Sequence, residues 1–540
     1  LRDDGVTPGG IVHAWGATAP DETHAPGEDL FDSLHALTRA LAGTTFAGTV
    51  RVGVITSGLY DITARETLMP DRALAVGPSL VMGQELPHVS GRHIDVDVTL
   101  TDDAGLPRLY QAVLDELSSA DDEPVVALRG HHRWVRSYAP LALPRPDGLP
   151  RGIEAGGVYL ITGGFGGLGL TFATWLASAA RAKLVLVGRT AVPPREQWDD
   201  WLGTHTEHDE ISRRIRAVRA IEAAGGSVLA CRADVASEPG MQAVVEAAVA
   251  RFGGVDGVIH AAGVPGVGIG ALKTREAAGR VIRPKVQGTR VLAHVLRGQR
   301  TRFVVLCSSL AALAGGLGQM DYAAANAFLD AWADARPDAA GPHVVSIDWD
   351  AWQDVGMAVD AAGPERGAAA QRERLRFALT PAEGVEVLAR VLDSLDAAGA
   401  GIRRVVVSTT VLDRRLAQFR VRIGGDPDRA AGATARRPRP TLRTEYESPR
   451  TDEERLLAGA WQQVLGVDRI GVHDNFFELG GDSLAALVVV ERLEADWSRR
   501  CSVAEFYGAP TIRLLAERLA AATGEGRAAD VAAPSASDES

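Results

Sequence analysis

The segment QMDYAAANAFLDA, residues 319–331, sets Tyr322 and Asn326 one helical turn apart on a shared face. Hydride transfer to a ketone leaves charge developing on the carbonyl oxygen. A site that drives it needs hydrogen-bond donors there and a proton to deliver. A tyrosine phenol can deliver that proton. Its ordinary pKa is about 10, and a nearby ammonium lowers it by favouring the phenolate. Ser309 ends the run FVVLCSS, at the strand end where open α/β sheets bind ligands. Lys285, in VIRPKVQGT on the preceding helix, is the candidate ammonium, and Arg283 is its less apolar-flanked rival.

A second constellation suits a dinucleotide. VYLITGGFGGLGLTFATWLA places Gly164, Gly166 and Gly169 in a GxGxxG frame after a strand and before a helix, with Thr162 and Phe165 in the same turn. Glycine permits the tight turn and the close approach of backbone to pyrophosphate, and the helix start supplies N–H groups and a positive dipole end. The next strand ends in VGRT. Arg189 there suits a 2′-phosphate, where an NAD site would carry Asp or Glu, so the expected cofactor is NADPH. Asp234 and Val235 close the following strand, where adenine could rest, and HAAG, with Ala261, Ala262 and Gly263, would face the nicotinamide ribose.

These residues need a frame. Short β-branched runs (VYLITG, KLVLVG, SVLACRADV, GVIHAAG, FVVLCSS, HVVSIDWD) alternate with helical stretches, the signature of a doubly wound parallel sheet. Residues 1–150 hold strands such as GTVRVGVIT but no glycine fingerprint, and read as a weaker echo of that layout. Residues 424–448, rich in Gly, Pro, Ala and Arg, read as a linker. Helical patterning returns over 449–522, as in EERLLAGAWQQVLG, and the tail 523–540 is expected to be disordered. The predicted fold is therefore α/β, with two Rossmann-like subdomains, 1–150 and 151–423, and a small C-terminal four-helix bundle.

The chain has 540 residues and a formal net charge of −12, which argues against nucleic acid. Three scattered cysteines, Cys231, Cys307 and Cys501, fit a reduced, cytoplasmic setting, and no zinc spacing is present. The loop HTEHDE reads as solvated and acidic rather than as a metal site. No apolar run is long enough to span a membrane. With no initiator Met, the chain reads as a piece of a longer polypeptide.

From Gly157 to about Ile423 the sequence strongly resembles the ketoreductase domain of modular polyketide synthases, a branch of the short-chain dehydrogenase/reductase family. Many Tyr-dependent reductases carry Lys where this chain has Asn326. In this branch the Lys and Asn positions are exchanged, and Lys285, Ser309, Tyr322 and Asn326 match its tetrad. The resemblance implies that Tyr322 donates the proton and Ser309 hydrogen-bonds the carbonyl. It implies that Lys285 lowers the Tyr pKa and binds the cofactor ribose, while Asn326 orients Lys285 and a proton-relay water. Residues 1–150, through MPDRALAVGPSLVMGQELPHVSGRHIDVD and HHRWVRSYAPL, resemble the family's structural subdomain, and the long connection from Arg189 to Ser227 resembles a subset of these ketoreductases. Stereochemical markers are missing. Pro265, Gly266 and Val267 stand where B-type domains carry Leu-Asp-Asp, and Ala314 where A-type domains carry Trp. The absent B marker leans the product to the A-type hand.

DNFFELGGDSLAALVVVERL resembles the phosphopantetheine attachment motif of acyl and peptidyl carrier proteins, with Ser483 at the opening of an apolar helix. Such a Ser is exposed and accepts a phosphate at the favourable dipole end. An N-cap Ser is the competing structural role. A GDSL-type esterase would need more Asn, Asp and His blocks than this bundle holds, since His473 is the only His beyond residue 440. The resemblance thus implies a ketoreductase–carrier didomain that reduces a β-ketoacyl thioester to a β-hydroxyacyl thioester. Its partners would be a phosphopantetheinyl transferase and neighbouring polyketide synthase or peptide synthetase domains. The rivals are an α-ketoacyl reductase of a depsipeptide line and a catalytically silent scaffold that presents the carrier.

Overall fold

The computed structural model describes residues 8–529 apart from 19–26, 45, 47, 99–104, 122, 267, 336–340, 354, 356–377, 396–400, 421–437, 441, 443, 477, 480, 482–484, 487, 491, 494–500 and 502. Two sheets dominate it. The second is the one the motifs demand. Its strands are β6 (Val158–Thr162), β7 (Lys183–Gly188), β8 (Ser227–Arg232), β9 (Gly257–His260), β10 (Phe303–Ser309), β11 (His343–Trp349) and β12 (Arg404–Val406). They lie parallel in the order β12-β11-β10-β9-β6-β7-β8. Chain order reverses between β6 and β9, which opens a crevice at their carboxyl ends. Helices cover both faces, so β6 is buried along its whole length.

The N-terminal sheet contains β1 (Gly10–Gly16), β2 (Val50–Ser57), β3 (Val89–Val96), β4 (Val125–Arg129) and β5 (His132–Val135). The first four are parallel and β5 is antiparallel, in simple sequential order. The α/β echo expected from sequence is there, but the order never reverses. This sheet therefore has no switch-point crevice, quite apart from its missing glycine turn.

The two sheet domains share one core. Leu74, Val76 and Val81 of the first domain cluster with Ala323, Ala324 and Phe328 of the second. The alanines of DYAAANAF let the helix Met320–Ala335 meet the helix Val76–Glu85 backbone to backbone. At Gly77 any Cβ would strike the Met320 carbonyl and Ala324. The helix that bears Tyr322 is thus clamped from outside its own sheet.

The C-terminal helices Asp452–Leu465, Val503–Gly508 and Ile512–Ala529 have a separate core around Trp461, Phe476 and Phe506. The ring centroids of Trp461 and Phe476 are 4.7 Å apart and those of Phe476 and Phe506 5.0 Å. A capping box of Thr451 and Glu454 starts the first helix. Two boundaries differ from the sequence expectation. Arg439, inside the expected linker, donates to Asp474 at 2.7 and 2.5 Å, and Leu442 packs on the helical core. A buried carboxylate recruits that arginine, which composition could not reveal. The last helix runs on to Ala529, into the expected disordered tail. Residues 424–437 and 530–540 of the expected linker and tail lie outside the described residues.

Candidate active site

The dinucleotide cradle forms where β6 turns into the helix Gly167–Ala180. Gly163, not singled out by the GxGxxG frame, has φ +65, and a Cβ there would sit 2.7 Å from the Ala261 carbonyl oxygen. The Gly-Gly pair in TGGFGG was the available signal. Gly164 lies under β7, where a Cβ would be 2.8 Å from the Ile161 carbonyl oxygen. Gly169 has no room for a Cβ against the Gly163 carbonyl. These close approaches leave backbone exposed to a phosphate, so the residues fit a pyrophosphate-bearing cofactor.

A cavity of about 1580 Å³ runs from this cradle over the sheet. Thr162, Phe165, Gly166 and Gly169 line its start, and Arg189, Asp234 and Val235 line it beyond the ends of β7 and β8. Ala261, Ala262 and Gly263 lead to Lys285, Ser309 and Tyr322. Gly164 lies beneath the wall, and Asn326 is buried beside Tyr322. Arg189 is exposed. Arg214, from the long connection after β7, also lines the cavity, with its guanidinium 5.3 Å from the Phe165 ring centroid and donating to the Thr190 carbonyl. Asp234 caps its own turn by accepting from Ala236 N–H at 3.0 Å, and its carboxylate stands 3.6 Å from Arg283. Arg283, the rival to Lys285, therefore faces Asp234 and not the phenol.

Thr162 and His260 share a hydrogen bond of 2.6 Å that ties the ends of β6 and β9 together. Burial, and then the Lys285 charge, push the His260 imidazole down to about 3, so it is neutral. Ser309 leaves β10 at the crevice, and Tyr322 enters from the helix Met320–Ala335. The Ser309 and Asn326 side chains both lie close enough to lower the Tyr322 phenol, though by less than burial raises it. Asn326 Nδ2 also donates to the Tyr322 carbonyl at 2.7 Å.

Lys285 lies deep beside the crevice. It is 3% exposed, and its ammonium donates to the Cys307 carbonyl at 2.7 Å. Burial lowers its pKa to about 8. Burial raises the Tyr322 phenol, and the nearby Ser309 and Asn326 side chains only partly offset that. The ammonium turns to the β10 backbone in this cofactor-free structure. Asn326 does not reach Lys285: its Oδ1 is buried without a partner among the described residues. The phenol is held protonated, which is the state a proton donor needs. Cys307 escaped the sequence reading because its contribution is a backbone carbonyl.

Ser483 and Val267 lie outside the described residues. Ala314 is buried, in the short helical turn after β10. Among the described residues no group of three His, Cys, Asp or Glu is placed to hold a metal. None of their helices is long and apolar enough to cross a membrane.

A reversed parallel sheet with a glycine cradle and a Ser–Tyr pair at its crevice defines a nucleotide-dependent reductase of the Rossmann type. Residues 157–354 match the KR domain family, and residues 455–519 match the phosphopantetheine attachment site family. The chain therefore carries a ketoreductase, an oxidoreductase, followed by a carrier domain. A KR domain takes NADPH, and a carrier domain takes 4′-phosphopantetheine on a serine. Among curated relatives, a component of the phenolphthiocerol/phthiocerol polyketide synthase of Mycobacterium tuberculosis (strain CDC 1551 / Oshkosh) is 36% identical over 329 residues. That match covers 60% of this chain but only 17% of the relative's length. A ketoreductase from the first module of phoslactomycin biosynthesis in Streptomyces sp. HK803 superposes with a TM-score of 0.59 at 26% identity, over 77% of this chain and 85% of that one. The adenylation, ketoreductase and pseudo-Asub structure of a keto acid-selecting NRPS module gives 0.62 at 21% identity, over 85% of this chain and 36% of that one, a likeness of fold alone.

Proposed function

We propose that this didomain reduces a carrier-tethered β-ketoacyl thioester to the β-hydroxyacyl thioester, as part of a polyketide or hybrid peptide–polyketide assembly line. Bound NADPH supplies the hydride to the β-carbon. The Ser309 hydroxyl and the Tyr322 phenol hold the carbonyl oxygen, and Tyr322 gives it the proton. Lys285 stands beside the cofactor ribose end of the cavity and keeps β10 and the crevice in register through the Cys307 carbonyl. Asn326 holds the Tyr322 backbone through its carbonyl. Thr162, Phe165, Gly164, Gly166 and Gly169 receive the pyrophosphate, and Arg189 the 2′-phosphate, with Asp234, Val235, Ala261, Ala262 and Gly263 along the nucleoside. Ser483 bears the arm, installed by a phosphopantetheinyl transferase, and the tether raises the effective concentration of its thioester at the cleft.

The observation that carries this reading is a phenol that burial keeps protonated, lining with Ser309 a single cavity that starts in a glycine cradle. The test is NADPH oxidation with simple β-ketoacyl and α-ketoacyl thioesters, followed by chiral analysis of the alcohol. Consumption with the β-keto substrate and one enantiomer is the expected result. Turnover of the α-keto substrate alone would move the protein to a depsipeptide role, and bound NADPH without turnover of either would make it a scaffold.

A further inference from the structure

The N-terminal sheet domain has no cofactor turn, yet three of its buried polar side chains reach into the active-site half. Glu85, wholly buried at the end of the helix Val76–Glu85, accepts from Gly270 N–H at 2.8 Å and from Gly318 N–H at 3.0 Å. Its neighbour Gln84 accepts from Gly316 N–H at 2.8 Å and donates to the Ala314 carbonyl at 2.6 Å. His35 Nε2 donates to the Gly270 carbonyl at 2.7 Å. Two separate loops, 268–273 and 314–319, are thereby fastened to each other through one carboxylate.

Both loops adjoin the reacting phenol. Gly316, Leu317 and Gln319 line the cavity beside Tyr322, as does Gly266 just before the first loop. Lys273 donates to the Gly318 carbonyl at 3.2 Å and pairs with Asp321 at 2.6 Å, and Asp321 accepts from the Tyr322 N–H at 2.9 Å. The joint has no slack: a Cβ on Gly270 would fall 2.7 Å from Met320 Cε and 3.1 Å from Glu85 Oε2. Neutral backbone N–H donors on both carboxylate oxygens are a demanding arrangement for a buried acid. A purely structural joint would be made more cheaply by apolar packing.

We propose that Glu85 is a positioning residue for the reduction: by holding loops 268–273 and 314–319 together it sets the wall that orients the ketone over Tyr322, and so the face that hydride reaches. This rests on the reductase reading above and adds a determinant from the domain that binds no cofactor. It also offers a source of stereocontrol in a chain whose loops lack both familiar markers.

The test uses the full chain carrying Glu85→Gln, which keeps one acceptor oxygen and turns an NH2 group toward a backbone N–H. Wild-type turnover comes first, and its absence would overturn the reductase reading and this role with it. With wild-type turnover established, the variant is expected to bind NADPH with unchanged Kd while the enantiomer ratio and kcat/KM each fall about 10–100-fold, as misplaced substrate implies. Asp95→Asn is the control for general loosening. It breaks the buried pair with Arg129 (2.7 Å) in the same domain and should lower Tm without moving the enantiomer ratio. If Glu85→Gln does not fold, Gln84→Met, which frees only the 314–319 loop, must shift the ratio in the same sense. A folded variant with the wild-type enantiomer ratio, or a control that shifts it as much, would overturn the proposal.

Discussion

Replacing Lys285 with Met should stabilise the cofactor-free protein while removing its activity. The ammonium is 3% exposed, and burial brings its pKa from 10.5 to about 8 against the pull of Cys307 and Asp330. A depression of that size means that holding the charge in the fold costs about 3 kcal/mol. Between pH 8 and 10.5 the unfolded chain binds a proton that the folded chain does not, so wild-type stability rises with pH across that interval and the whole cost is present below it. Methionine fills the same space without charge. It also deprives the Cys307 carbonyl of its donor, which gives back about 1–2 kcal/mol. The balance is a gain of about 1–2 kcal/mol at pH 7, or roughly 2–8 °C in Tm for a domain of this size. Near pH 10 the gain should vanish or change sign. Thermal unfolding at pH 7 and pH 9.5, with NADPH oxidation in parallel, checks both halves. A variant destabilised equally at the two pH values would refute the reasoning, because the ammonium would then act through packing alone.

Tyr322→Phe removes the proton donor and should lower kcat by about 10²–10⁴-fold while NADPH still binds, read by oxidation kinetics and cofactor fluorescence. Arg189→Asp should erase about 10–100-fold of the preference for NADPH over NADH, measured as the ratio of kcat/KM values, since one charge-assisted contact to the 2′-phosphate is lost. In the carrier domain, burial opposes ionisation of Asp474, but Arg439 and the Gly471 N–H win and hold its carboxyl below the usual range. Its stabilising contribution is therefore present above the unfolded pKa and lost as pH falls through the folded one. Asp474→Ala should cost about 3–5 kcal/mol at pH 7 by stranding Arg439, seen as an earlier carrier transition in calorimetry, with ketoreductase turnover on a free thioester unchanged.

Local sequence settled the parts whose physics is local. A strand, a glycine turn and a helix start follow one another in VYLITGGFGGLG, so the cradle was legible down to its residues. Its one miss, Gly163, was a matter of which glycine in a run takes positive φ. Period and composition likewise marked the alternating strands and the helices of the carrier. Tyr322, Ser309 and Lys285 could be nominated by type and place, but their electrostatics could not. A lysine turns to whichever acceptor the fold offers, and here that is the Cys307 carbonyl, while burial decides the direction of the Tyr322 shift. The reversal of strand order that opens the crevice, the capture of Arg439 by Asp474, and the grip of Glu85 on two loops remote from it in sequence belong to the tertiary structure alone. Each joins groups that chain spacing leaves independent, and burial gives each its strength.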